Sequence, residues 1–192
     1  MAYVTATDLK LYLHIEEATD DVLLASLISR ATAIIDSYCG FSFEASADTS
    51  RTFDAMLDTD GRLLVLDRPL ASITSVTNGD GATVTASQYV TEPRNDAPFW
   101  GIRIRSDASI AWEYDDYYED AITVTGKWAY STSAPADIQH ATLRLAGFLY
   151  RQPENAGELD RTIIAGNATV LPAQLPADVR QILAPYKRVG VG

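Results

Sequence analysis

Ser72-Ile73-Thr74-Ser75-Val76-Thr77-Asn78-Gly79-Asp80-Gly81-Ala82-Thr83-Val84-Thr85 is the stretch on which the fold turns. Two runs rich in β-branched residues flank four turn formers, the pattern of a β-hairpin. Asn78-Gly79-Asp80-Gly81 suits a type I′ turn, in which both central residues take positive φ. The same period extends outward. Arg51–Asp54, Arg62–Leu66, Gly101–Arg105 and Ala121–Thr125 read as further strands, with Ser72–Thr77 and Ala82–Thr85 as the hairpin arms. Ile102 and Ile104 alternate with Arg103 and Arg105, as on a half-buried strand. Residues 51–130 are therefore expected to form an antiparallel β-module.

Helical signals lie on either side of it. Thr5 and Asp8 have the spacing of a capping box, with Leu9, Tyr12 and Leu13 on one face of a short helix. Thr19 is placed to cap a longer helix. Leu23, Leu24, Leu27, Ile28, Ala31, Ile34, Ile35 and Tyr38 recur there at helical spacing up to Gly40. After Pro135, Ile138, Ala141, Leu145, Phe148 and Leu149 repeat the pattern, and Asp178–Leu183 is a last short helix. The fold class is α+β: a small helical bundle carrying an inserted antiparallel β-module, with an extended C-terminal loop and tail. Residues 1–150 read as one domain, helical over 1–45 and 135–151 with the β-module at 51–130. Residues 152–192 supply a long loop, a short helix and a tail. Gln152–Pro176 is too apolar for a solvated linker, and long loops inside compact domains usually carry function.

Composition narrows the chemistry. The 192 residues are 47% hydrophobic and 21% charged, as in a globular protein able to bury a core without staples. One cysteine, Cys39, rules out an internal disulfide and a cysteine-based zinc site, and is expected to be a small buried residue. The longest uninterrupted apolar runs, such as Leu63–Leu66, are far below the ~20 residues of a membrane span. No secretion signal is expected, because Asp8 sits where a signal peptide is apolar. A net charge of −11 with no concentrated basic stripe argues against gripping nucleic acid.

Catalytic and metal constellations find little support. His14 and His140 have no second ligand at metal spacing, and Asp137-His140 reads as a surface pair. Asp58-Thr59-Asp60-Gly61 resembles a calcium loop only superficially; Asp60-Gly61 fits a hairpin turn better. The densest charge feature is Glu113-Tyr-Asp-Asp-Tyr-Tyr-Glu-Asp120, which lacks the basic or histidine partner that general acid/base work needs. It reads as a solvated loop, or as an acidic surface facing other acids or DNA. No cofactor and no enzymatic activity are expected.

Tyr3–Leu13, continuing through Asp20–Ile28, Ala31–Tyr38 and Gly40-Phe-Ser-Phe43, resembles the start of the head–tail connector (adaptor) proteins of long-tailed double-stranded-DNA bacteriophages. Leu66-Asp-Arg-Pro-Leu70 with Ile73 and Val76 is similar to that family's strand-turn-strand element. Val124-Thr-Gly-Lys-Trp128, then Pro135-Ala-Asp-Ile138 and Ala141 to Arg151, looks like its return into the bundle. The likeness is one of order and spacing over about half of the chain.

The resemblance implies a virion protein of the particle neck, made and assembled in the host cytoplasm. Related gene transfer agents and prophages use similar parts. It implies a homo-oligomeric ring of about twelve subunits under the portal protein, docking a stopper or tail-terminator protein. DNA would pass through without specific binding, and no membrane is involved. On this reading Tyr186, Lys187 and Arg188 are candidates for the portal contact, as basic and aromatic residues on an acidic chain. Ile163, Ile164, Val170 and Leu171 are candidates for contact between subunits. Glu113, Asp115, Asp116, Glu119 and Asp120 are candidates for the channel wall. Two other readings remain: a neck stopper or tail-completion protein, or a β-module binding carbohydrate or cations through residues 113–120.

Overall fold

The computed structural model describes residues 2–16, 20–151, 163–165, 168–170 and 175–187. The chain divides into two compact units, residues 1–40 with 135–192, and residues 41–134. The first unit holds the helices and one short two-stranded hairpin and the second the two larger antiparallel sheets, so the class is α+β as expected.

In the first unit, α1 (Ala6–Leu13) starts at a complete capping box. The Asp8 amide donates to the Thr5 hydroxyl at 3.1 Å, and the Thr5 amide donates to the Asp8 carboxylate at 2.8 Å. The Thr5 hydroxyl, which donates to the Asp8 carboxylate at 2.6 Å, and then the Thr5 amide hold the Asp8 carboxyl below its usual range. α2 (Asp21–Cys39) packs along α3 (Ala136–Arg151), burying Leu24, Ile28, Ala31 and Ile35 with Ile138, Ala141 and Leu145. By length and composition α2 could cross a membrane, although polar residues break its apolar runs; it buries Leu24, Leu27, Ile28, Ala31 and Ile35 in the core of this unit. Asp20 occupies the cap position before α2, but its carboxylate accepts the Tyr150 hydroxyl at 2.8 Å and makes no capping bond. The expected cap, Thr19, lies outside the described residues. α4 (Ala177–Leu183) lays Val179 and Leu183 into the same core, and its Asp178 pairs with Arg144. A 3-10 turn, Ala184–Tyr186, follows.

The second unit has two antiparallel sheets. One has the order β1-β7-β4, from β1 (Thr49–Phe53), β7 (Ile122–Lys127) and β4 (Ser72–Thr77). The other has the order β2-β3-β6-β5, from β2 (Thr59–Asp60), β3 (Leu63–Leu70), β6 (Phe99–Ile104) and β5 (Tyr89–Glu92). Leu64, Leu66, Leu70 and Ile102 from one sheet join Phe53, Val76, Ile122 and Val124 from the other in a single core. Trp112 closes it, donating its indole N–H to the Arg62 carbonyl at 3.0 Å.

Three strand-level expectations are revised. Ala82–Thr85 is not a strand. Only Thr83 bridges back to Thr77, because the Thr85 amide turns to the Gln88 side chain at 2.8 Å and the Gln88 amide to the Thr85 carbonyl at 2.9 Å. The Asn78–Gly81 turn is not type I′: neither Gly79 nor Asp80 has positive φ, and Gly81 alone takes it, at 79°. The Gly81 amide donates to the Asn78 carbonyl at 2.9 Å and the Asn78 amide to the Ala82 carbonyl at 2.8 Å. This is the three-residue loop that places its glycine at the left-handed position. Finally, β5 is a strand with no counterpart in the sequence reading.

Residues 152–176, expected as an extended loop, contain a short hairpin. β8 (Ile163–Ala165) pairs antiparallel with β9 (Ala168–Val170), with Ile163 opposite Val170.

Candidate functional site: an acidic loop and an arginine-lined cavity

The acidic run is a shaped element of the second unit. Its first anchor is Asn78, whose buried side chain donates from Nδ2 to the Ala111 carbonyl at 2.9 Å and accepts the Glu113 amide at 3.2 Å on Oδ1. Gly79 lies directly beneath the loop. A Cβ there would stand 2.3 Å from the Glu113 carbonyl oxygen, so any side chain would push the loop away. The second anchor is Asp54–Met56. The Asp120 amide donates to the Asp54 carboxylate at 2.8 Å, the Ala55 amide to the Tyr118 carbonyl at 2.8 Å, and the Tyr114 hydroxyl to the Met56 sulfur at 3.7 Å. The Thr52 hydroxyl also donates to the Asp120 carboxylate. Tyr114 and Tyr118 meet edge to face, their centroids 6.1 Å apart.

This clamp fixes the backbone and leaves the charges in solvent. Glu113, Asp115, Asp116, Glu119 and Asp120 are all exposed, and among the described residues none is in an ion pair. Glu119 beside Tyr118 pushes that phenol's pKa up, by charge first and by hydrogen bonding second. Tyr114 is 42% exposed and Tyr117 77%. The element offers exposed carboxylates and flat rings, and its own residues 113–120 include no histidine, lysine or arginine. Among the described residues no group of three or more His, Cys, Asp or Glu is arranged to hold a metal ion.

A second feature corrects the expectation of no concentrated positive charge. Arg62, Arg94, Arg103 and Arg105 converge on a cavity of about 500 Å³ that Val90 and Asp107 also line. Sequence scatters these residues over the β-module; the pairing of β3 with β6, and of β6 with β5, gathers them. Arg103 pairs with Glu92 at 2.9 Å and Arg105 with Asp107 at 3.1 Å. The Arg105 contact holds the Asp107 carboxyl below its usual range. Arg62 donates to the carbonyls of Arg105 and Ala108, the latter at 3.2 Å. Among the described residues Arg94 forms no ion pair. Alternation of Arg103 and Arg105 with isoleucines was the visible signal, but it shows a strand and not a cluster.

In the first unit, the Tyr186 hydroxyl donates to Asp137 at 2.7 Å, and the Lys187 ammonium lies 5.4 Å from the centroid of the Tyr38 ring. Arg188 lies outside the described residues. Ile163, Ile164 and Val170 belong to the β8–β9 hairpin; Leu171 lies outside the described residues. Asp137 therefore serves Tyr186, while His140 meets Tyr12 edge to face at 6.4 Å. Cys39 is buried, and burial, aided by the Asp36 carboxylate, pushes its thiol pKa up to about 11.

The family model described as head completion protein matches residues 2–189. Among curated proteins there is no match. A chain in the neck of the empty gene transfer agent particle, solved with C6 symmetry, shares the fold with a TM-score of 0.60 at 16% identity. The match covers 99% of this chain and 93% of that one. A chain in the neck of the native particle, solved with C12 symmetry, gives 0.57 at 17% identity, covering 100% and 96%. A chain of the native gene transfer agent virion gives 0.57 at 17%, covering 99% and 93%.

Proposed function

Because the chain belongs to the head completion protein family, we propose that it is a structural component of a phage-like particle's neck. It forms a ring below the portal that extends the DNA channel and docks the next neck or tail protein. The family match over residues 2–189 carries this reading. Support comes from the fold it shares, over nearly its whole length, with chains of neck assemblies solved in sixfold and twelvefold symmetry. A net charge of −11 suits a conduit that must let duplex DNA slide. The role is mechanical, and no catalytic step is assigned.

Two contacts follow within this proposal. Tyr186, Lys187 and Arg188 are the portal contact, made by exchanging the Asp137 and Tyr38 partners of Tyr186 and Lys187 for portal groups. Ile163, Ile164, Val170 and Leu171 are the contact to a neighbouring subunit, where a hairpin of this composition can bury apolar surface.

Deleting the gene from the producing genome tests the function. DNA-filled heads without attached tails, restored to whole particles by the gene in trans, are the expected result. Complete, DNA-delivering particles in its absence would overturn the proposal. Complementation with a chain ending at Ala184 isolates the portal contact: heads should stay untailed while the purified protein keeps its helical circular dichroism.

A further inference from the structure

We infer that the arginine-lined cavity of one copy of this chain receives the acidic loop Glu113–Asp120 of a second copy. This rests on the ring reading above and names a contact that would build the ring. Two of the arginines that line the cavity already hold carboxylates of this chain: Arg105 pairs with Asp107, which also lines the cavity, and Arg103 pairs with Glu92. Four arginines line the cavity and two of them are paired with acids, so positive charge is left over, and Arg94 has no ion-pair partner among the described residues. The loop has the opposite imbalance, five exposed carboxylates without an ion pair among the described residues. Its exposed Tyr114 and Tyr117 rings add the flat faces on which guanidiniums stack.

Order favours the contact as well. Asn78, Asp54 and the close approach at Gly79 hold the loop's backbone before any partner arrives, so little conformational freedom is lost on docking. Cavity and loop are different surfaces of the same chain. On the ring reading the contact runs head-to-tail, each copy giving its loop to one neighbour and its cavity to the other. Duplex DNA is the weaker occupant, because Asp107 in the lining, Glu92 on Arg103 and the net charge of −11 repel phosphates. The loop thus gains a place at a subunit boundary, where the sequence alone suggests the channel wall.

Charge reversal tests the contact in the full-length protein. One variant reverses the cavity (Arg94→Glu with Arg105→Glu), a second the loop (Asp115→Arg with Asp116→Arg), and Asp115→Asn with Asp116→Asn is a milder third. Self-association is followed by sedimentation velocity at about 0.15 M and about 0.5 M NaCl, where screening lengths differ roughly twofold. Wild type should associate more weakly at high salt. Each reversed variant alone should associate at least about tenfold more weakly than wild type, and the Asn variant should shift in the same direction. Mixing the two reversed variants should restore association, because each reversed loop then meets a reversed cavity. Variants that assemble like wild type, or a mixture no better than its components, would overturn the contact while leaving the ring reading intact. Loss of duplex-DNA retention in the cavity variant with unchanged self-association would overturn it in favour of a phosphate site. Monomers throughout, even on portal-bearing heads, would sink both readings.

Discussion

Replacing Asn78 with Ala should loosen the acidic loop and destabilise the β-module that carries it. The substitution deletes two hydrogen bonds, Nδ2 to the Ala111 carbonyl at 2.9 Å and the Glu113 amide to Oδ1 at 3.2 Å. Each is worth about 1 kcal/mol net, and stranding a carbonyl and an amide in a half-buried setting adds a fraction of their desolvation cost. The total is about 2–3 kcal/mol. With a urea m-value on the order of 1.5–2 kcal/mol/M, the unfolding midpoint should fall by about 1–2 M. Asn78→Asp should cost more, because a carboxylate oxygen would then face the Ala111 carbonyl and add charge beside five acids. Asp80→Ala is the control: it loses only an exposed bond to the Ala82 amide at 2.9 Å and should cost about 0.5 kcal/mol. Urea unfolding gives the energies, and amide exchange at Glu113 and Asp120 reports the loop directly. A midpoint unchanged in Asn78→Ala, with exchange at Glu113 still slow, would refute the clamp.

Three further expectations concern the first unit. Thr5→Ala breaks the capping box of α1 and should cost about 1 kcal/mol in urea unfolding. Since Asp8 titrates below its ordinary value of 3.8 when folded, the stabilisation is fully present above that value. It is lost as pH falls through the lower folded value, so the wild-type advantage over Thr5→Ala should shrink only in that acid range. Thr32 has a buried hydroxyl with no hydrogen-bond partner among the described residues, so Thr32→Val should be neutral or raise stability by up to about 1 kcal/mol, read from the thermal midpoint. The Cys39 thiol, buried and shifted up to about 11, should resist iodoacetamide in the native protein at pH 8 and react on unfolding.

The helical frame was legible because it rests on local signals. Thr5 and Asp8 announce α1 within four residues, and the apolar repeats of α2 and α3 each belong to a single helix. The β-module was legible as a class and less so in detail. β5 is short, half-buried throughout and followed by Pro93, so neither alternation nor composition marks it. Ala82–Thr85 has the composition of a strand, but the Gln88 side chain captures Thr85 and ends its pairing. Ile163–Ala165 and Ala168–Val170 pair as a hairpin of only three residues a side, too short for alternation to mark amid the Gly, Pro and Asn of the surrounding sequence. The acidic loop was visible as five carboxylates in one run, yet its clamp depends on Asn78, Gly79 and Asp54, distant in sequence. The arginine cavity was invisible for the same reason, since strand pairing alone gathers Arg62 with Arg94, Arg103 and Arg105.

The most direct test of a structural role in the neck is the position and copy number of the protein in purified particles. Negative-stain imaging of particles labelled at the C-terminus gives the axial position, and quantitative mass spectrometry against the portal gives the ratio. Label should be confined to the head–tail junction, with about one copy per portal subunit and about twelve per particle. Label spread over the capsid, label at the distal tail tip, or absence of the protein from finished particles would contradict it.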